Sequence, residues 1–287
     1  MEQYPEYPKG VFKATFGFSE QSFSKAKRSL NSPQRQQAQN NKEEIRSTIR
    51  KIFVESKCHA GIALITEKLR HHGIYLSKPT VRKYARDMGL FPVRQAKKGK
   101  YNSYDRNADN VAPNLIKRDF QSELFLSKIS TDITEFSLNE EKLYLSAFID
   151  AKNKEVVAYS LGDSPSANFV TSGLIKLVDR IPKDQECVIN SDQGVQYHSE
   201  EYMAVFAANP NLVRSMSRKG NCLDNYVVEQ FFFGKLKSEF YYANKFNSMS
   251  ELKSGIVNWI HYYNHERLQE NLAWQSPVSY RLLLSVK

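Results

Sequence analysis

Cysteine is scarce in this chain: Cys58, Cys187 and Cys222 are three among 287 residues and lie far apart. An odd, widely spaced set argues against a disulfide framework. Cys58-His59 and His71-His72 carry side chains that zinc accepts, but one cysteine in that region does not make a zinc site. No apolar run approaches the ~18 residues of a membrane span, so no membrane partner is expected. The opening Met1-Glu-Gln-Tyr-Pro-Glu6 lacks the basic-then-apolar order of a secretory leader, which predicts a cytoplasmic, nucleoid-associated protein. Leucine-zipper heptads and internal repeats are also missing.

Acidic residues are few in the first part of the chain. Residues 1–120 hold 24 Lys and Arg against 11 Asp and Glu, whereas residues 121–287 hold 17 against 20. The net charge of +10 therefore belongs to the front, as in a nucleic-acid grip joined to a different module. Ser19 caps an expected helix within residues 11–28, and the Gln-, Asn-, Ser- and Pro-rich stretch from Asn31 to Asn41 reads as a linker. Three helices follow. Glu43–Ser56 spaces Ile45, Ile49 and Phe53 by four, and Gly61–His71 lines up Ile62, Ile65 and Leu69. The third begins at the N-cap Ser77 and stops at Gly89, with Pro79 in its first turn. Its outer side shows Lys78, Thr80, Arg82, Lys83 and Arg86, which suits a helix inserted into a DNA major groove. Residues 92–122 form a basic connector.

Beyond residue 123 the pattern becomes that of a mixed α/β domain. Strands are expected over Lys128–Phe136, Lys142–Asp150, Glu155–Leu161, Cys187–Asn190 and Leu212–Met216, and helices over Ser166–Ile181, Ser199–Ala208, Leu223–Phe240 and Met249–Glu266. Three carboxylates stand out. Asp132 lies inside a strand, where aspartate is disfavoured. Asp192 ends another at the edge where α/β sheets host ligands, although Asp-x-Gly is also an ordinary turn. At ~100° per residue Glu229 falls between Phe233 and Leu236, away from the solvent stripe of Gln230, Gly234, Lys237 and Ser238. Glu135 is three residues from Asp132, hence on the opposite strand face. Asp224 has a role as N-cap, and Glu239 sits at the expected frayed end. An unpaired buried carboxylate is costly, but three can share divalent cations.

The motifs Thr131-Asp-Ile-Thr134, Ser191-Asp-Gln-Gly-Val-Gln-Tyr197, Ser215-Met-Ser-Arg-Lys-Gly-Asn221, Asp224-Asn-Tyr-Val-Val-Glu229 with Lys235-Leu-Lys237, and Tyr263-Asn-His-Glu-Arg267 with Ser276-Pro277 give a family likeness. Over about residues 11–287 the sequence resembles the DDE transposases and retroviral integrases. In particular it resembles the second-frame protein (OrfB) of the insertion-sequence family conventionally numbered three. Thirty-six residues separate Asp192 from Glu229, one more than the family usually leaves, and the surplus is assigned to Ala208-Asn-Pro-Asn211. Ile129 and Tyr226 replace the family's usual Trp and small residue.

The resemblance implies an RNase H-like core with a five-stranded mixed sheet, preceded by an all-α helix-turn-helix region. Its divisions are 1–41 (short helix-turn-helix-like segment and linker), 42–91 (DNA-binding domain), 92–122 (connector), 123–243 (catalytic core) and 244–287 (helical extension). It implies a transposase in which Asp132, Asp192 and Glu229 hold two Mg²⁺, with Mn²⁺ able to substitute, for 3′-end cleavage and strand transfer by in-line transesterification. Implied partners are the element's terminal inverted repeats, target DNA, further copies of the chain and an upstream-frame OrfA protein. Arg218, Lys219 and Lys237 are expected phosphate contacts. The competing reading is a non-catalytic DNA-binding repressor. His198 is expected to be an ordinary surface histidine, Phe231–Phe233 core, and Asn264–Arg267 either a DNA contact or a helix cap.

Overall fold

The computed structural model describes Gln21 and residues 32–56, 60–90, 111–218 and 225–285. The helix expected within 11–28, the basic residues of the connector up to Arg106, Cys58, Cys222, Lys219 and Asp224 lie outside them. The chain divides into two compact units, each described by itself.

The first unit is helical. Helix α1 spans Pro33–Glu55, so the stretch expected to be a linker is helical. Pro33 has the backbone angle a first helical residue needs, and the Gln, Arg and Ala that follow are good helix formers. Ile49, Ile52 and Phe53 are its buried residues. Helix α2, Ile62–His71, and helix α3, Lys78–Asp87, bury Ile65, Leu69, Val81 and Ala85. Both end alike: Ile74 N–H reaches back to Leu69 O and Leu90 N–H to Ala85 O, around Gly73 and Gly89 at φ +75° and +66°. These left-handed positions favour glycine, so each helix stops where the chain requires it. The Ser77 hydroxyl accepts from Thr80 N–H at the start of α3, with Pro79 in the first turn.

The second unit is built on one sheet. Its strands are β1 Lys128–Leu138, β2 Glu141–Asp150, β3 Val156–Gly162, β4 Cys187–Ser191 and β5 Leu212–Met216, in the order β3-β2-β1-β4-β5. The first three pair antiparallel, and β4 and β5 run parallel to β1. This is the five-stranded mixed sheet of the RNase H-like fold. Alternation along β1 and β2 gives two apolar faces. Ile129 and Phe148 face helices α4, Ala167–Val178, and α5, Glu200–Ala208, together with Leu174, Tyr197 and Tyr202. Phe136, Leu143, Leu145 and Ala147 face the other side, where α6 (residues 227–241) and α7, Met249–His265, supply Phe232, Leu236, Trp259 and Tyr263.

Helix α6 departs from the expected α-helix over Leu223–Phe240. Over Val227–Phe233 and again over Lys237–Tyr241 it is wound as a π-helix, with Gly234 N–H bonded to Glu229 O and Tyr242 N–H to Lys237 O. Its sequence explains the winding. Val228, Phe232, Leu236 and Phe240 are buried while Tyr226, Gln230, Gly234 and Ser238 are exposed, both at strict spacings of four. On a regular α-helix each such step drifts by about 40°, so three steps carry the apolar row about 120° off its face. A wider winding keeps the row on the core. The ~100° geometry used to orient Glu229 from sequence therefore does not hold here.

Beyond α7 the expected helical extension continues in a further helix, α8 Pro277–Ser285, tied back to Glu155 just before β3. Its Arg281 and Arg180 after α4 both bond to Glu155, whose side chain is 4% exposed, at 2.8 and 2.9 Å. Asn153 joins this cluster through Glu155 and through Pro277 O. A second ion pair binds Arg267 bidentately to Glu239, at 2.6 and 2.7 Å. Asn264 pairs with both backbone groups of Val156. Of the Asn264–Arg267 segment, Asn264 and Arg267 are therefore held in the structure, while Glu266 caps α7, its N–H bonded to Tyr262 O, which is the helix-cap alternative; Glu239 is not at a frayed end. Gly255 of α7 lies against Phe240, where an added Cβ would stand 2.5 Å from the ring. Gly255→Ala is expected to destabilise by about 1–3 kcal/mol through overpacking, despite alanine's better helix propensity. A denaturant midpoint no lower than wild type would contradict this.

Candidate functional site

The parallel pairing of β1 with β4 ends at Ser130↔Asn190. Asp132 and Asp192 each lie two residues beyond this last pair, past the end of the β1–β4 pairing. Asp132 keeps its place in β1 through pairing with Ala147 of β2, which puts it on the α6 face of the sheet. Its Oδ1 accepts from Ile133 N–H at 2.7 Å. Asp192 follows β4 directly and its Oδ1 accepts from Gly194 N–H at 2.9 Å, so the Asp-x-Gly turn is formed. Beneath this edge Asn190, fully buried, accepts from Ser215 Oγ at 2.8 Å and donates to Ser217 Oγ at 3.2 Å, fixing the ends of β4 and β5.

Electrostatics ties Glu229 to this pair. Burial holds the Asp192 carboxyl above the usual aspartate range; the Gly194 N–H pulls it back, and the charge of Glu229 pushes it up again. Tyr197, buried in the turn after β4, has its phenol raised by burial, then by Asp192 and Asp132. Burial lowers the Lys237 ammonium, opposed by Asp132, Glu135 and Glu229 in that order. The three carboxylates thus share a neighbourhood, each acting on a group that another also touches. They do not close into a finished metal cage: among the described residues no three His, Cys, Asp or Glu form a group able to hold one metal ion.

The remaining candidates are dispersed. Lys237 lies among the acids, its Nζ 5.6 Å from the centre of the Phe136 ring, not on an outer rim. Glu135, set aside on strand geometry, forms a 3.2 Å ion pair with Lys142. His198 is half-buried and its positive charge would lower Asp192, which places it beside the acids and not on the open surface. Phe232 and Phe233 are core, as expected. Arg218 is exposed. In the helical unit Lys78, Arg82, Lys83 and Arg86 are exposed, whereas Thr80 is half-buried and bonds to Ser77 Oγ at 2.8 Å. Sequence reasoning assigned nothing to Tyr197, although it falls in a quoted motif; its burial beneath two acids had no local signal.

Two family profiles described as integrase core domain match residues 126–222 and 230–282. These profiles define a polynucleotidyl transferase with an integrase core. The chain is 38% identical over 239 residues to the InsK protein of insertion sequence element IS150 from Escherichia coli (strain K12), covering 83% of each. It is 41% identical to a transposase-like protein of Haemophilus influenzae, covering 76% of this chain and 98% of that one. Identity to the transposase InsF for insertion sequence IS3A of Escherichia coli (strain K12) is 30%, covering 75% of this chain and 73% of the relative. The chain belongs to the DDE transposases of the IS3 family, and the repressor reading is not favoured. The HTLV-2 integrase catalytic core domain, solved in complex with magnesium, is a more distant likeness: 15% identity, TM-score 0.42, covering 56% of this chain and 99% of that one. No helix among the described residues is long and apolar enough to cross a membrane.

Proposed function

We propose that Asp132, Asp192 and Glu229 jointly hold divalent cations, Mg²⁺ or in its place Mn²⁺, and that the transposase uses them to cut the 3′ ends of its element and join them to another strand. The observation that carries this reading is the shared electrostatic neighbourhood of three acids lying 60 and 37 residues apart in sequence. The donor set fits the ions, because carboxylate oxygens are the hard ligands that Mg²⁺ prefers. The raised Asp192 carboxyl fits as well: a bound cation would offset the charge of Glu229 that helps to raise it. Two such ions, when bound, activate the attacking oxygen and neutralise charge on the leaving 3′ oxygen.

The chain's own residues supply position. Asp132 and Asp192 stand at the parting of β1 and β4, so the scissile phosphate belongs in that opening. Lys237 offsets part of the acids' charge and contacts an incoming phosphate, and Arg218 and Lys219 hold the backbone beside it. Lys78, Thr80, Arg82, Lys83 and Arg86 serve the terminal repeats, Thr80 also closing the cap of α3. Residues 42–91 act as the DNA-binding domain, 92–122 as connector, 123–243 as catalytic core and 244–287 as its extension. The working form is a multimer on DNA, associated with the nucleoid and assisted by an upstream-frame OrfA protein.

Incubation of the full chain with cognate end DNA and Mg²⁺ tests this. Joined strands that form only with the cation, and vanish with a chelator, are expected. Specific end binding without any joined product in Mg²⁺ or Mn²⁺ would overturn it.

A further inference from the structure

Asn225 and Tyr241 lie 16 positions apart, on either side of Glu229 and Lys237, and both touch β1. Asn225 Nδ2 donates to Thr131 O at 3.2 Å, on the residue immediately before Asp132. Tyr241 Oη donates to Ser137 O at 2.5 Å and accepts from Ser137 N–H at 3.1 Å. Its ring also meets Phe136 edge-on, with centroids 5.1 Å apart. On a regular α-helix, 16 residues at ~100° would set these two side chains about 160° apart, on opposite sides. They reach one strand because the π turns over Val227–Phe233 and Lys237–Tyr241 widen the winding between them. Asn225, Glu229, Phe233, Lys237 and Tyr241 follow one another at spacings of four, and of these Asn225, Lys237 and Tyr241 meet β1.

We infer that Asn225 and Tyr241 are positioning residues: they fasten the under-wound helix to β1 at both ends and thereby fix Glu229 opposite Asp132. Neither is required to touch DNA or cation. The inference rests on the proposed role of Glu229. It also gives the π winding a purpose, which agrees with the tendency of such turns to occur at functional sites.

The test uses full-length Asn225→Ala and Tyr241→Phe, with Tyr242→Phe as a neighbouring control and Glu229→Gln as the reference for the site. Three quantities are read: the Mn²⁺ concentration giving half-maximal end cleavage, amide hydrogen exchange over residues 226–241, and end-DNA binding as a check on folding. Both positioning variants are expected to need about tenfold more Mn²⁺, the scale of losing a group that orients a metal ligand. Exchange along the helix should quicken, while end binding and the control stay at wild-type values. If Tyr241→Phe, which removes only a hydroxyl, keeps both the wild-type Mn²⁺ midpoint and wild-type exchange, the inference is wrong. Should Glu229→Gln itself retain metal-dependent cleavage, the reading of the site fails first, and the two failures are distinct.

Discussion

Asp192→Asn is expected to reduce metal-dependent cleavage at least about a hundredfold, since the loss of even one fixed electrostatic stabiliser commonly costs 10²–10³ in rate. The same change should leave the folded protein as stable as wild type, or more so. Burial and the charge of Glu229 raise the Asp192 carboxyl, so its folded pKa lies above its unfolded one. The folded state then holds the proton more readily than the unfolded state does. Stability is lost as pH rises from the ordinary aspartate value through the raised one, and the loss persists above it. Asparagine removes that penalty, so the variant's advantage is present at neutral pH and disappears in acid. In the wild type, proton and cation compete for one carboxyl, so cleavage should fall on acidification while pH is still above the usual aspartate range. Cleavage assays across pH, paired with thermal melts at neutral and acid pH, check both parts. Retained cleavage would remove Asp192 from the site.

Arg267→Ala is expected to have the largest effect on stability. Arg267 is 8% exposed and grips Glu239 with two hydrogen bonds, joining the end of α6 to the end of α7. Removing the guanidinium strands a largely buried carboxylate, a loss of about 3–5 kcal/mol. For a unit of this size that lowers Tm by about 10 °C. Replacing both partners with apolar residues, as in Arg267→Met with Glu239→Leu, should recover most of the loss, because no charge is then left alone. A single variant that melts within 2–3 °C of wild type, about the effect of 1 kcal/mol, would show that solvent already satisfies Glu239.

The strands were legible because each bears local evidence. Leu212–Met216 falls where expected, and β1 to β4 agree to within two residues, apolar alternation and turn residues marking their ends. The acids were legible as anomalies: Asp132 within a strand and Asp192 at a strand end are conspicuous before any fold is known. Features that depend on partners distant in sequence were not legible. The Gln- and Asn-rich start of α1 has a linker's composition yet a helix former's propensities. The four-residue repeat of α6 was present in the letters, but an assumed 3.6-residue turn obscured it. The ion pair of Arg267 had no local signal, because its partner is 28 residues away on another helix. Helix α8 is short, and it is held by Glu155, a residue 126 positions earlier than Arg281.

That last tie sets a boundary for anyone trimming the gene. A truncation ending before Arg281 would take one of the two arginines from Glu155 and leave it Arg180, and one ending before Pro277 would also strip Asn153 of its bond to Pro277 O, loosening the β2–β3 corner from beneath. The closing residues act as a keystone set after the arch is built. Affinity tags and fusions therefore belong past Ser285.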